Sequence, residues 1–180
     1  LDHLCQGALT LLPCDLAWLL MVEQGALRGR AIACVKGESA GLVFLRLVAN
    51  GALEQPTISL NENHPLVVLA RSGERRINVA AESFREMPEG ALLHRALSQI
   101  RLSHAHILPL TREGEGLLGV LMLATATPYP TYDPRAGSIL QTITQQAVET
   151  LDHVRLMRDL AQREVEMRTE QAFRKMVMDS

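Results

Sequence analysis

SHAHILPLTREGEGLLGVLMLATATPYPTYDPRAGSILQTITQQAVETLDHVRLMRDL, residues 103–160, decides the fold. It reads as a strand, a hairpin, a second strand and then a long helix. The first strand ends in Pro109-Leu110, and the turn Thr111 to Gly116 carries Gly114 and Gly116 between apolar runs. Glycine takes positive φ without steric cost, so glycines in a short polar loop between such runs signal a hairpin. The second strand is Leu117 to Leu123. After the proline-rich connector Thr127 to Pro134, Asp133 is placed to cap a helix with Pro134 at its first position. That helix is expected to run to about Met178, roughly 65 Å at 1.5 Å per residue, far longer than a small domain needs.

Upstream, Asp2 to Leu12 has helical spacing in Leu4, Ala8, Leu11 and Leu12. Asp15 to Val22 turns at Glu23-Gln24-Gly25 and returns through Leu27 to Val35, a hairpin opening an antiparallel sheet. Trp18, Leu20 and Val22 share one face of the first strand, and Ala17, Leu19 and Met21 the other, so both faces require cover. Further strands are expected at Leu42–Val48, Thr57–Leu60 and Arg75–Val79. A helix should span Pro65 to Arg71, capped at Asn63 or His64 and closed by Gly73. Ala80 to Gly90, polar and containing Pro88, reads as a loop, and Ala91 to Ile100 as a helix.

These pieces resemble a GAF domain, a small sensing module of signalling proteins. The resemblance is carried by Ile107-Leu108-Pro109-Leu110, Gly116, Gly119-Val120-Leu121, Gln146-Ala147, the hairpin Ala17 to Val35, and Leu66 to Gly73 with the strand after it. It covers residues 1 to 158. It implies an α/β fold of the α+β type, with an antiparallel sheet of five to six strands. The first and last helices would cover one face and lid segments around residues 80–100 the other, where a ligand pocket would close. It also implies a non-catalytic sensor or dimerisation domain of a bacterial signalling protein, with a histidine kinase as the expected host. A transcription regulator or diguanylate cyclase, or a dimer scaffold with no ligand, remains an alternative. The resemblance identifies no ligand and no cofactor.

With 180 residues and 47% hydrophobic content, one substantial core is expected. A net charge of -2 and no Lys/Arg-rich run give no general attraction to nucleic acid. No apolar run reaches the roughly 18 residues that span a bilayer, and no signal-peptide pattern opens the chain. A cytoplasmic location without membrane contact is expected. The chain starts at Leu1 and stops within a helical pattern, as a piece of a longer protein would. Its expected division is a sensor at 1–160 and a signalling helix at 161–180 leading to an effector. Beyond Leu160, Ala161, Val165, Ala172 and Met176 continue an apolar stripe, interrupted by Arg168. Asp159/Arg163, Glu164/Arg168 and Glu170/Arg174 form acid-before-base pairs four apart. A parallel coiled coil in a homodimer is the expectation there.

His104 and His106, two apart on a strand, project from one face and could bind a metal or a ligand, but no third metal ligand is fixed by spacing. Arg46, Asn78, Ser103, His104 and His106 are the candidate ligand-binding residues; in a sensor they line a cavity, in a scaffold they face solvent or a helix. No residue is assigned to catalysis or to a metal. Cys5, Cys14 and Cys34 have apolar neighbours and no CxxC spacing, so buried reduced thiols are expected. The cysteine-histidine pair of bilin-binding GAF domains is absent, since Gln6, Asp15 and Val35 follow the cysteines. The dispersed cyclic-nucleotide set is not recoverable with Lys36 and Lys175 as the two lysines. A haem ligand among His94, His104 and His106, and a thiol-based methionine sulfoxide reductase, are the remaining alternatives. His153 is followed by Val154 and lacks the His-Glu pattern of a kinase phosphoacceptor.

Overall fold

The structure is a computed structural model that describes residues 1–35, 58–61, 63–73, 76–86, 91–114, 116–128 and 134–178. Helix α1 (Asp2–Leu11) leads into the hairpin β1 (Leu16–Glu23) and β2 (Ala26–Cys34). Gln24 and Gly25 turn it with φ of 51° and 75°, the paired positive φ that matches strand twist in a two-residue hairpin. β3 is Ile58–Ser59, α2 Pro65–Arg71, β4 Arg76–Ala80, α3 Ala81–Glu86 and α4 Ala91–Gln99. β5 (His104–Arg112), β6 (Gly116–Thr125) and α5 (Pro134–Met178) complete the chain. The expected strand at Leu42–Val48 and the Asp133 cap lie outside the described residues.

The six strands form one sheet in the order β3-β2-β1-β6-β5-β4. Every pairing is antiparallel. The reading of 103–160 places β5 and β6 side by side, and β6 then pairs with β1, so the two hairpins share the sheet's centre. Because side chains alternate along a strand, the central strands feed two cores. Trp18, Leu20, Ile107, Val120 and Met122 face a layer made by α2, α3 and α4, through Leu66, Val67, Phe84, Leu93 and Leu97. Ala17, Leu19, Met21, Leu108, Leu110, Leu121 and Leu123 face α1 and α5, through Cys5, Ala8, Leu140, Ile143, Ala147 and Leu151.

The loop expected over residues 80–90 is corrected in its first half. α3 follows β4 directly, because Ala81 and Phe84 are buried while Glu82 and Glu86 stay outside. A turn and a half of good helix formers with one aromatic anchor is stable when that anchor is fully covered. α2 begins as expected, with the His64 ring accepting the Leu66 N–H and Pro65 at the first position. Among the described residues, no helix is long and apolar enough to cross a membrane.

Candidate functional site

Two places combine unusual chemistry with position: the sheet face under α2–α4, and the point where α5 leaves the sheet.

On the first, the described side chains are apolar and tightly covered, Phe84, Leu66 and Ile107 having no exposure. One polar atom is embedded there. Trp18 is 6% exposed, and among the described residues its Nε1–H has no acceptor. A buried donor left unpaired costs roughly 1–3 kcal/mol, so its retention asks for an explanation. The indole lies over Gly29 of β2, where a Cβ would come within 2.8 Å of Nε1. Sequence reasoning placed Trp18 in the core but gave its N–H no role; an aromatic beside a strand glycine on the same face was the available signal.

Of the five sequence-predicted site residues, four fall among the described residues. Arg46 lies outside the described residues. Asn78 is in β4, within the irregularity between Arg76 and Val79 in the pairing with β5. Ser103 and His104 sit together at the start of β5. The Ser103 Oγ donates to the Ala126 carbonyl at 2.6 Å and lies 2.9 Å from the His104 Nδ1. His106, 1% exposed, stands opposite Leu123, which puts it on the α1/α5 face and not under α2–α4. Burial, with the His104 charge second, pushes its imidazolium pKa down to about 4, so the ring is neutral at pH 7.

A serine, a histidine and a glutamate also meet on the lid helices. His94 Nε2 is 2.9 Å from Glu82 Oε2 and 3.4 Å from Ser98 Oγ. Both partners face the same ring nitrogen. A Ser-His-acid nucleophile needs them on opposite nitrogens, one taking the serine proton and the other held by the acid. The cluster therefore fastens α3 to α4, a contact missed because α3 read as loop. Burial first, with Asp2 or Asp15 second, pushes the Cys5 and Cys14 thiols up to about 12, leaving them protonated and poor nucleophiles at neutral pH.

At the second place, α5 is held by charge where its apolar contacts run out. Leu151 is buried and Val154 half-buried, and from Arg155 onward each residue of described burial is exposed. Arg112 at the end of β5 reaches Asp152 at 2.6 Å. Glu23 at the end of β1 takes the Arg30 Nε–H at 2.8 Å on Oε1 and Arg30 Nη2 on Oε2. Arg158 of α5 donates to the same Oε1. Burial pushes the Glu23 carboxyl up, and the two guanidinium donors together outweigh it, holding it below its usual value.

No protein-family model matches the sequence, and no curated protein does. Solved structures do. The GAF domain of a two-component sensor histidine kinase from Bacillus halodurans is 14% identical, with a TM-score of 0.63, over 86% of this chain and 92% of that one. A GAF domain/HD domain protein from Geobacter sulfurreducens is 13% identical, with a TM-score of 0.63, over 86% of this chain and 90% of that one. The blue-light absorbing form of the PixJ GAF domain from Thermosynechococcus elongatus is 13% identical, with a TM-score of 0.59, over 89% of this chain and 87% of that one. The chain has the GAF fold, as the resemblance implied.

Proposed function

We propose that this chain is the non-catalytic sensory and dimerisation domain of a cytoplasmic bacterial signal-transduction protein, with a two-component histidine kinase as the effector class. Residues 1–160 are the sensor, and residues 161–180 are the signalling helix leading to the effector. The observation that carries this reading is the apolar stripe of α5. Leu140, Ile143, Ala147 and Leu151 pack on the sheet, and Val154, Ala161, Val165, Ala172 and Met176 continue the same line at spacings near the helical period. Val165 and Met176 are 63% and 62% exposed. A large apolar stripe in water is a binding surface, and a parallel pairing with the same helix of a second copy covers it in register. The GAF fold, which a sensor histidine kinase from Bacillus halodurans also carries, supports the host class.

A ligand-free dimer scaffold is the second reading, favoured by the filled layer around Phe84 and by the placement of His106 away from it. The Trp18 Nε1–H, unpaired among the described residues, favours a ligand that brings a hydrogen-bond acceptor. Native mass spectrometry with tryptophan fluorescence decides between them, since Trp18 is the single tryptophan. Extra mass released on denaturation, with a change in Trp18 emission as it leaves, supports the sensor. A dimer without added mass supports the scaffold, and a monomer removes dimerisation from both.

A further inference from the structure

We infer that the Glu23 carboxylate is a rotational lock on the output helix, seated at the hairpin tip so that movement of the lid side reaches α5 through it. This rests on the proposed role of α5 as the output element.

The lock follows from where restraint on α5 ends. Apolar packing fixes the helix on the sheet as far as Leu151 and Val154. From Asp152 to Arg158, where that packing runs out, ion pairs to two different strands add restraint on rotation about the helix axis: Asp152 to Arg112 on β5 and Arg158 to Glu23 on β1. The two positions are six residues apart, roughly 9 Å along the axis and about 120° around it. Two tethers so placed oppose both roll and tilt, which neither does alone.

Glu23 is built as a fixed acceptor rather than a mobile surface acid. Its side chain is 12% exposed. The β1–β2 register skips Arg30 between Ala31 and Gly29, so Arg30 is the extra residue of a bulge. A bulge re-aims its side chain, and Arg30 grips both carboxylate oxygens of Glu23. Arg158 then docks onto a carboxylate already oriented. The same tip is bonded on its other side to β3, the edge strand that leads to α2: Ala26 pairs with Ser59, and the Gly25 carbonyl accepts the Leu60 N–H at 2.9 Å. Five residues on, Pro65 opens α2, whose Leu66 and Val67 are fully buried under the sheet's lid face. Displacement of α2 therefore pulls on the turn that holds the lock.

The test is pulsed electron-electron distance measurement on the full 180-residue chain, with Cys34→Ser and nitroxides at Glu113→Cys and Gln171→Cys, diluted with unlabelled chain so that distances within one chain are read. On a helix of about 5 Å radius, a roll of about 30° carries a side chain roughly 3 Å. Arg158→Gln and Glu23→Gln should each broaden the distribution and shift its mean on that scale, while Arg163→Gln leaves it unchanged. Arg158 is half-exposed, so its variant folds even where Glu23→Gln does not. A distribution in Arg158→Gln that superimposes on wild type overturns the lock. Hydrogen exchange at the Leu60 amide tests the lid link: faster exchange in Arg158→Gln supports it, and unchanged protection overturns it. Native mass of the wild-type chain reads the underlying proposal separately, because a monomer with a narrow distance distribution refutes dimer output and leaves the lock standing.

Discussion

Gly119→Ala should destabilise the domain although the change adds one methyl group inside a strand. Gly119 stands in β6 opposite Met21 of β1 and Leu110 of β5. A Cβ there would lie 2.4 Å from the Leu20 carbonyl oxygen and 2.9 Å from the Leu151 Cδ1. The leucine tip can rotate away. The carbonyl cannot, because Leu20 is paired on both sides, to Gly29 and to Val120. Overpacking costs roughly 1–3 kcal/mol, and a fixed main-chain oxygen places this case at the upper end. Alanine's lower unfolded-state entropy returns about 0.4–1 kcal/mol. The net loss of about 2 kcal/mol corresponds to a fall in Tm of roughly 4–8 °C for a chain of this size. Urea denaturation followed by far-UV circular dichroism measures it. Adding Leu151→Ala should relieve little of the loss, since it removes the softer of the two contacts. A loss below about 0.5 kcal/mol for Gly119→Ala would refute the close approach of the Leu20 carbonyl to Gly119.

Arg101 ends α4 at a φ of 56°, with the Leu102 N–H on the Leu97 carbonyl and the Arg101 N–H on the Ser98 carbonyl. This closure favours glycine, so Arg101→Gly should stabilise by about 1 kcal/mol in the same urea assay, and a loss of stability would contradict the cap. His106 should make stability fall on acidification. Its ordinary value is 6.5 and its folded value about 4, so between those limits the unfolded chain takes up a proton that the folded one does not. Up to roughly 3 kcal/mol is then lost as pH falls through that window, and none above it. His106→Gln should flatten that part of the stability-pH curve, and an unchanged slope would show that the ring is not held neutral. Cys5 and Cys14 should resist a thiol reagent in the folded protein at pH 8 and react once it is unfolded; fast reaction of either in the folded state would reopen thiol chemistry.

The central hairpins were legible because their signals are local. Gly25, Gly114 and Gly116 take positive φ where the chain turns, and alternation along β1 named both of its buried faces correctly. The α3 helix was not legible, because one phenylalanine among polar residues carries no period; its burial comes from a lid that sequence spacing does not describe. The face of the histidines was half legible. Spacing puts His104 and His106 on one side of β5, but choosing the side requires knowing that Leu123, across the ladder, faces α5.

The contacts at the exit of α5 show why a helix can be read while its role stays hidden. The i,i+4 pairs of the tail were visible, and Glu164–Arg168 and Glu170–Arg174 both close at 2.5 Å. Exposed pairs of that kind contribute only tenths of a kcal/mol and hold the helix to itself. One of the two pairs named above that hold α5 to the sheet joins Glu23 to Arg158, separated by 135 residues, and no spacing rule connects them. The sequence shows that α5 outruns the domain, and the folded sheet decides the angle at which it does so. The output role proposed for α5 needs both properties: a length that carries it away from the core and a fixed phase at the point of departure.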